Sequence, residues 1–381
     1  MEALTEAVRR VAQSADESER KQLLDSLRDL AYDIERPQDT FERVNYYNLR
    51  LAVIRIGIEL KLFEIISAGS KPLTTGEIAE KVNAAPPLLR RILRYMASMG
   101  MIQEAGPDTF RCIKATQNLA TVDVRAGVLH NFENVNAAFQ ALPSFLQRNS
   151  YREITDIKHT PYQQGWNTEL TTFQWMQQNP QHMAWMSDYM AVSHSGKRSW
   201  LDAYPFSLKS QDVDSERVVF VDVGGGIGHQ CISLRESHPQ LTGRVVLQDL
   251  KEVVEQANVP ETIEVIAHNF FDPQPVQGAK FYYLRNVLHD WSDDKCILIL
   301  KHLIASMTSD SMILIDEMVL PDIGAHWHAT QYDLTMMVAL AAQERTRSQW
   351  EALLDQAGLQ ITSVHCYTKT VAESIIEAVS K

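Results

Sequence analysis

Paired cysteines and an excess of positive charge are both missing from this 381-residue sequence. The four cysteines, Cys112, Cys231, Cys296 and Cys366, lie far apart and form no CxxC pair. We therefore expect reduced thiols, with neither a disulfide framework nor a metal site. Lys and Arg number 36 against 48 Asp and Glu, a net charge of −12. A chain this acidic repels phosphates, so nucleic acid is not expected as its main partner.

Long apolar runs are also missing. No stretch of the sequence is long enough to span a bilayer. The first ten residues carry four charges and no apolar core, so they do not resemble a signal peptide. These absences predict a soluble, cytoplasmic protein without a membrane partner.

The N-terminal part shows helical periodicity. Apolar residues recur at the spacing of amphipathic helices over residues 4–34. The same spacing continues over residues 41–65, and we interpret this second range as one longer helix. Residues 73–112 are typical of a helix-turn-helix with a small wing, in which Gly106 and Pro107 turn a hairpin. One chain does not cover all these apolar faces, so we expect a homodimer.

The C-terminal part alternates between strand and helix patterns. Five apolar segments read as strands: VVFVDVG (218–224), RVVLQDL (244–250), IEVIAHNF (263–270), KFYYLRNVL (280–288) and MILIDEMVL (312–320). Such alternation predicts an α/β fold with a doubly wound, Rossmann-like sheet of parallel strands. A polar seam near residues 205–217 separates the two patterns.

A glycine-rich turn follows the first of these strands. In VDVGGGIGH (221–229), Asp222 precedes the glycines Gly224 and Gly226, and the next strand ends on Asp249. Glycines permit close approach of a ligand, and an acid at Asp249 can accept hydrogen bonds from ribose hydroxyls. The sequence lacks the full GxGxxG pattern, so a nucleoside without a pyrophosphate is the favoured ligand. Alternatively, the two acids cap loops.

A histidine follows the fourth strand. His289, in LRNVLHDW, lies at the carboxyl edge where doubly wound sheets bind ligands. An imidazole there is suited to acid–base work. Alternatively His289 is a satisfied structural residue, and its neighbour Asp290 caps the helix that begins near Ser292.

Taken in order, VDVGGGIGH, QDL, HNFF, LRNVLHDW, DEMVLP and QERT resemble the S-adenosylmethionine-dependent O-methyltransferases of plant and fungal secondary metabolism. The resemblance covers nearly the whole chain. It implies a helical and winged-helix dimerisation domain (1–120), a helical region covering the substrate (121–205) and a Rossmann-like cofactor domain (206–381). The residues that it implies for binding S-adenosylmethionine are Asp222, Gly224, Gly226, Asp249, Leu250, Asn269, Phe270 and Arg285.

The same resemblance implies a catalytic triad and a substrate wall. In the family, acids matching Glu317 and Glu344 flank the histidine matching His289 and fix its tautomer. Family helices over the methyl donor imply that the substrate contacts Phe173, Trp175, Met183, Met186 and Met190. Without the resemblance, a stripe of methionine and aromatic side chains on a helix would more often belong to the hydrophobic core than to a substrate pocket. The expected substrate is a flat, largely apolar small molecule.

The chain also resembles a fungal clade of this fold, the leporin-type pericyclases, which shape 2-pyridone alkaloids by dehydration and Diels–Alder-type cyclisation. The likeness runs through LRYMAS, HNFENVNAAFQALPSFL, GRVVLQDL and ERTRSQWEAL. In the leporin enzyme a cation stands at the position of His289, while an acid matches Asp290 and a histidine matches His130. Here His289 keeps the methyltransferase residue.

Three functions follow from these patterns. The favoured one is a pericyclase that uses S-adenosylmethionine as an electrostatic cofactor and acts on a polyketide-derived 2-pyridone. The alternative is an O-methyltransferase, with His289 as the base that removes a phenol or enol proton. A non-catalytic, ligand-gated regulator rests on the winged helix alone, and the acidity of the chain disfavours it.

Overall fold

The structure is a computed structural model that describes residues 1–193, 199–211 and 213–381. The chain forms two compact units, Met1–Asn134 with Gln181–Ser195, and Val135–Pro180 with Gly196–Lys381. Asp212, in the polar seam, lies outside the described residues. The domain boundaries near residues 120 and 205 stay predictions.

The first unit is mostly helical. Its elements include α1 (Glu2–Ser14), α2 (Glu17–Ile34), α3 (Pro37–Asn45), α4 (Tyr47–Glu59), α5 (Leu62–Ala68), β1 (Leu73–Thr74), α6 (Thr75–Val82), α7 (Pro86–Ser98), β2 (Gln103–Gly106), β3 (Thr109–Arg111), α8 (Lys114–Leu119), α9 (Val122–His130) and a π-helical turn (Asn131–Val135). The short strands form an antiparallel sheet in the order β1-β3-β2.

The predicted helix-turn-helix with its wing is confirmed. Thr74 caps α6, since its hydroxyl accepts a hydrogen bond from the Glu77 N–H while the Glu77 carboxylate accepts one from the Thr74 N–H. Proline occupies the first turn of α7, and the buried face of that helix carries Leu89, Leu93 and Met96. This face joins the core of the first unit.

The prediction of one long helix over residues 41–65 is wrong. The structure has α3, α4 and α5 there, with breaks at Tyr46 and Lys61. Lys61 takes a left-handed backbone conformation at φ 52°, which an α-helix does not tolerate. The apolar spacing continues across the breaks, so periodicity alone did not reveal them.

The second unit carries the large sheet. Its elements are α10 (Asn136–Arg148), α11 (Pro161–Trp166), α12 (Thr172–Gln178), a 3₁₀ turn (Trp200–Asp202), α14 (Phe206–Lys209), β4 (Val218–Val223), α15 (His229–Ser237), β5 (Arg244–Asp249), α16 (Lys251–Val254), β6 (Ile263–Ala267), β7 (Phe281–Arg285), a 3₁₀ turn (Leu288–Asp290), α17 (Asp293–Ile304), β8 (Met312–Met318), α18 (Trp327–Leu340), α19 (Arg347–Ala357), β9 (Leu359–Thr368) and β10 (Glu373–Ser380). Helix α13 (Pro180–Ser193) lies between α12 and the first of these turns in the sequence.

The seven strands run in the order β6-β5-β4-β7-β8-β10-β9. The five expected strands are parallel, as predicted, while β10 pairs antiparallel with both β8 and β9. Strands β5 and β6 lie on one side of β4, and the chain then crosses over to place β7 on the other side of β4. That reversal opens a crevice at the carboxyl ends of β4 and β7, where ligands bind in such sheets.

Apolar side chains bury both faces of this sheet. One core holds Trp350 with β7, β8 and α17, and the other holds Trp200 with β4 and β5. The two tryptophans are fully buried. Among the described residues, none of the helices has the length and apolar character needed to cross a membrane.

Candidate active site

The glycine-rich turn after β4 leaves room for a ligand. Gly226 takes a left-handed conformation at φ 60°, and a Cβ added there would meet no atom within 4 Å. In contrast, a Cβ on Gly225 would lie 2.4 Å from the Cγ atom of Asp222. The turn is therefore closed on the protein side and open above Gly226, as a backbone that approaches a ligand requires.

Asp249 stands at the end of β5 with a fixed carboxylate. One oxygen accepts a hydrogen bond of 2.7 Å from the Gly226 N–H, and the other accepts one of 2.7 Å from the Leu250 N–H. Each oxygen keeps a second lone pair. The strand end thus presents an oriented acceptor next to the open side of the turn, where ribose hydroxyls could donate.

Asp222 lies below the turn and is 1% exposed. The Sγ atom of Cys231 lies 3.6 Å from its carboxylate. Burial raises the pKa of Asp222 to about 7. This acid therefore forms the polar floor of the crevice.

Asn269 and Phe270 follow β6. The Asn269 side chain accepts a hydrogen bond of 3.1 Å from the Phe271 N–H, which holds the loop after the strand. The ring of Phe270 lies 3.5 Å from the point where a Cβ on Gly224 would stand. Phe270 therefore borders the glycine turn, whereas the Asn269 carbonyl oxygen is already used within its own loop.

Arg285, at the end of β7, belongs to a buried ion pair. Its Nη1 atom lies 3.5 Å from the Asp316 carboxylate, which also accepts hydrogen bonds from Tyr283 and Tyr367. Burial works against the charge of Arg285, yet Tyr283 and Asp316 raise its pKa above the ordinary value. The structure thus gives this arginine a partner within the sheet, and its contact with a cofactor stays a prediction.

The turn after β7 brings His289 against two buried glutamates. The Nδ1 atom of His289 lies 2.8 Å from Glu344 Oε1 and 3.8 Å from Glu317 Oε2. Glu344 precedes α19 in the sequence, and Glu317 lies in β8. The three side chains that the sequence analysis grouped are therefore in direct proximity.

Glu317 also holds the backbone of this turn. Its Oε1 atom accepts hydrogen bonds of 2.9, 2.9 and 3.3 Å from the N–H groups of residues 287–289. Its Oε2 atom is buried without a hydrogen-bond partner among the described residues and lies nearest to the His289 ring. Burial raises the pKa of Glu317, while the neighbouring His289 opposes that shift.

Burial and three neighbouring carboxylates have opposite effects on the pKa of His289. Burial alone would lower the pKa of His289, but the carboxylates of Glu317, Asp290 and Glu344 raise it well above the ordinary value. The Asp290 carboxylate lies 3.5 Å from Nε2 of the ring. These carboxylates therefore favour the imidazolium form of His289. Asp290 does not cap the next helix, because Ser292 is the N-cap residue of α17.

His130 lies in the first unit, at the end of α9. Its ring stacks on Tyr189 with centroids 4.8 Å apart and planes 3° from parallel. Its Nδ1 atom lies 3.0 Å from the amide nitrogen of Asn134. Burial lowers the pKa of His130 to about 4, so this imidazole is neutral at pH 7.

Family models match both parts of the chain. The O-methyltransferase domain matches residues 159–360, and the O-methyltransferase dimerisation domain matches residues 47–118. The chain belongs to the O-methyltransferase family. The O-methyltransferase lepI of Aspergillus flavus is 39% identical over 377 residues, which are 98% of this chain and 97% of that protein. The demethylsterigmatocystin 6-O-methyltransferase of Aspergillus parasiticus is 37% identical over 382 residues, 100% of this chain and 98% of that protein.

Solved structures of the family agree. LepI in complex with SAM has a TM-score of 0.91 at 38% identity, covering 100% of this chain and 98% of the other. A structure described as a pericyclic reaction enzyme has a TM-score of 0.90 at 38% identity, with the same coverage. The expected family, fold class and enzyme class are confirmed.

The predicted substrate residues of this O-methyltransferase-family chain lie on two helices. Trp175, on α12, packs on Trp166 with ring centroids 4.3 Å apart, whereas Phe173 on the same helix is exposed. Met183 and Met186 on α13 are half-buried, and Met190 is exposed. Contact of these five residues with a substrate stays a prediction.

Arg345 was missed by the sequence reasoning. It is 1% exposed and donates hydrogen bonds to the carbonyl oxygens of Leu288 and Trp291 and to the carboxylate of Asp293. The guanidinium thereby binds carbonyl oxygens of the turn that carries His289, whereas Glu317 binds the N–H groups of the same turn. Its place directly after Glu344, in the quoted QERT, was the available signal.

The triad also has the spacing of possible metal ligands. His289, Glu317 and Glu344 each offer one ligand atom, and these atoms lie within 4.8 Å of one another. The 2.8 Å separation of Nδ1 and the Glu344 oxygen is that of a charge-assisted hydrogen bond. A shared proton accounts for it, and the absence of a metal cofactor stays a prediction.

We predict that Glu317→Gln lowers the pKa of His289. Glutamine keeps a carbonyl oxygen for the N–H groups of residues 287–289 but removes a negative charge 3.8 Å from the ring. The imidazolium form then loses part of its stabilisation. Nitrogen-15 NMR titration of His289 measures the effect, with Glu351→Gln, an exposed acid paired to Arg347, as control. An unchanged titration in Glu317→Gln would contradict the electrostatic account.

Proposed function

We propose that the chain is a pericyclase of fungal secondary metabolism, which binds S-adenosylmethionine and cyclises a polyketide-derived 2-pyridone. A Diels–Alder-type step forms two σ bonds from two π bonds and neither gains nor loses atoms, whereas a preceding dehydration releases one water. The observation that carries the proposal is the set of three carboxylates around His289, with Glu344 2.8 Å and Glu317 3.8 Å from Nδ1 and Asp290 3.5 Å from Nε2. These carboxylates raise the pKa of His289 and favour its charged form.

A charged imidazole meets the requirement of that reaction. In the leporin-type pericyclases a cation occupies the position of His289. Cyclisation accelerates when a donor polarises a carbonyl conjugated with the reacting π system, because negative charge develops on that oxygen in the transition state. An imidazolium supplies such a donor as a lysine or arginine does. The retained histidine is therefore compatible with the pericyclase function.

His130 supplies a second, different donor. Its pKa of about 4 keeps the ring uncharged, so it contributes a neutral N–H. Asp290, whose pKa burial raises, orients the His289 ring through its 3.5 Å contact with Nε2. We therefore assign His130 the role of a neutral hydrogen-bond donor and Asp290 that of orienting His289. A histidine and an acid stand at these two positions in the leporin-type enzymes as well.

The crevice beside Gly226 fits S-adenosylmethionine. Asp249 presents oriented acceptors for the two ribose hydroxyls, Asp222 forms a polar floor, and Phe270 offers a ring for adenine to stack on. The relative LepI was solved in complex with SAM, and it shares 38% identity with this chain. When bound, the cofactor supplies a sulfonium charge and an electrophilic methyl group.

A second candidate function, O-methyl transfer, rests on the same triad. The Glu344–His289 hydrogen bond of 2.8 Å orients the imidazole as a general base would need. The demethylsterigmatocystin 6-O-methyltransferase is nearly as similar to this chain as lepI, at 37% against 39% identity. For this function His289 would have to lose its proton before it accepts one from a phenol or enol.

The third hypothesis, a non-catalytic, ligand-gated regulator that would bind DNA through the winged helix, is weakened by the charges of that domain. The Arg90 guanidinium lies 2.8 Å from the Asp108 carboxylate, and that of Arg94 lies 3.7 Å from it. One acid thus offsets part of the positive charge of these two arginines on the winged helix. We propose a cytoplasmic enzyme whose partner is a small, flat, largely apolar molecule.

We predict that the enzyme forms a cyclised product without consuming its cofactor. The substrate is incubated with methyl-labelled S-adenosylmethionine, and the product is analysed for mass and label. The pericyclase proposal expects an isomerised or dehydrated product, no label and intact cofactor. Label in the product with an equal amount of S-adenosylhomocysteine would replace the proposal by the methyltransferase function.

Variants of His289 distinguish the pericyclase from the methyltransferase function. A charged donor is kept in His289→Lys and His289→Arg but lost in His289→Ala, so a pericyclase retains more activity in the first two. A methyltransferase loses about two to four orders of magnitude in all three, since none offers a base near neutral pKa. S-adenosylhomocysteine, which lacks the sulfonium charge, should support cyclisation less well than S-adenosylmethionine.

We predict that Asp249→Ala weakens binding of S-adenosylmethionine by about 2–4 kcal/mol, because two charge-assisted hydrogen bonds to the ribose are lost. Isothermal titration calorimetry gives the affinity. The control is Glu252→Ala, which removes an exposed acid from the first turn of α16. Equal affinities of Asp249→Ala and the parent protein would show that this acid does not hold the ribose.

We further propose a homodimer formed through the N-terminal helices. Apolar side chains of α1–α4 are exposed in the single chain, among them Leu4, Val11, Leu24, Leu30, Ile34 and Phe41. The adjoining residues 47–118 match the O-methyltransferase dimerisation domain. A second copy of the chain would cover these surfaces.

Sedimentation at micromolar concentration should give a dimer of the 43.3 kDa chain. The double variant Leu27→Asp/Leu30→Asp should sediment as a monomer, since buried charges oppose association. Gln22→Asp on the same helix adds a charge outside the apolar stripe and should stay dimeric. An active parent protein that sediments as a monomer would refute the dimer.

A further inference from the structure

We infer that Asn134 and His182 are positioning residues that fix the protonated ring nitrogen of His130, so that Nε2 carries the hydrogen and points away from Asn134. The inference deepens the proposed function, on which the donor role of His130 rests. Asn134 and His182 were not among the predicted site residues.

Asn134 sits in an unusual and fully enclosed place. It belongs to the π-helical turn Asn131–Val135 and is 0% exposed. Such turns are rare and occur often at functional sites. The Arg55 guanidinium bonds Glu133 at 2.6 Å and so ties the turn to α4. A buried amide in this position must satisfy its donors and acceptor locally.

The contacts of Asn134 determine which way its amide faces. The Nδ2 atom lies 3.0 Å from the main-chain carbonyl oxygen of His182, which can only accept. A flipped amide would place two oxygens against each other. The Asn134 Oδ1 atom lies 2.7 Å from His182 Nδ1, which must therefore carry a hydrogen.

The second N–H of the amide then defines the tautomer of His130. Because Nδ2 can only donate, its 3.0 Å contact requires a lone pair on His130 Nδ1. Burial keeps the ring neutral, so the remaining hydrogen is on Nε2. Stacking on Tyr189 fixes the ring plane, and His182 and Tyr189 lie seven residues apart on one face of α13.

This arrangement has a chemical consequence. A neutral histidine with its hydrogen on Nδ1 would present a lone pair at Nε2 and would repel a carbonyl oxygen. Asn134 excludes that form, and His182 excludes the flipped amide that would permit it. The pair thereby turns His130 into a permanent donor without charging it.

Nitrogen-15 NMR of the histidine-labelled protein tests the inference without substrate. The two ring nitrogens of His130, assigned with the variant His130→Gln, should show a protonated Nε2 and an unprotonated Nδ1 in the parent protein. A hydrogen on Nδ1 would overturn the inference. In Asn134→Asp the carboxylate requires a donor, so Nδ1 should become protonated. The control Asn136→Asp, the same change at the first residue of α10, should leave both signals unchanged.

Kinetics separate positioning from mere stability. Asn134→Leu, of similar shape, should mix the two tautomers and lower kcat for cyclisation about 10–100-fold with little change in KM. His182→Leu serves as a second variant if the first does not fold, and should act in the same direction. Unchanged tautomers and kcat in a folded variant would overturn the inference. Methyl transfer by the parent protein would instead refute the proposed function and leave the tautomer result standing.

Discussion

The carboxylate of Glu317 is the interaction on which the rest of the site depends. One of its oxygens accepts three backbone N–H groups from residues 287–289, so strand β8 dictates the course of the turn after β7. Burying a carboxylate is costly unless it is bonded in this way. Because the second oxygen faces His289, the group that shapes the turn also helps to raise the pKa of the imidazole ring that the turn presents.

Two adjacent acids of β8, Asp316 and Glu317, belong to two separate groups of interacting side chains. Successive side chains point to opposite faces, so Asp316 pairs with Arg285 on one face while Glu317 meets His289 near the other. Tyr283 and Tyr367 complete the hydrogen bonds of Asp316. The ion pair holds β7 beside β8 at the crevice, which keeps the turn with His289 in register. Arg285 thus has a structural task that is sufficient to explain its presence.

The sequence predicted the parts of the site that stand at strand ends, because strand order and edge position follow from local patterns. Asp222, Asp249 and His289 lie at the expected edge. Glu344 entered only through the resemblance, since no local pattern links it to a histidine 55 residues earlier. Arg345 and Asn134 were missed because their roles exist only through contacts across the fold. The break at Lys61 and strands β9 and β10 likewise depend on tertiary packing.

The identity of a residue does not settle its chemistry when neighbours control its protonation. Carboxylates around His289 raise its pKa, whereas burial without an opposing charge lowers the pKa of His130 to about 4. A methyltransferase base needs a free lone pair, and a polarising donor needs a bound hydrogen. The same histidine can serve either purpose, depending on the charge balance around it. Three acids around one imidazole favour its hydrogen-carrying form, so a donor role at this position does not require that the triad histidine be replaced by a permanent cation.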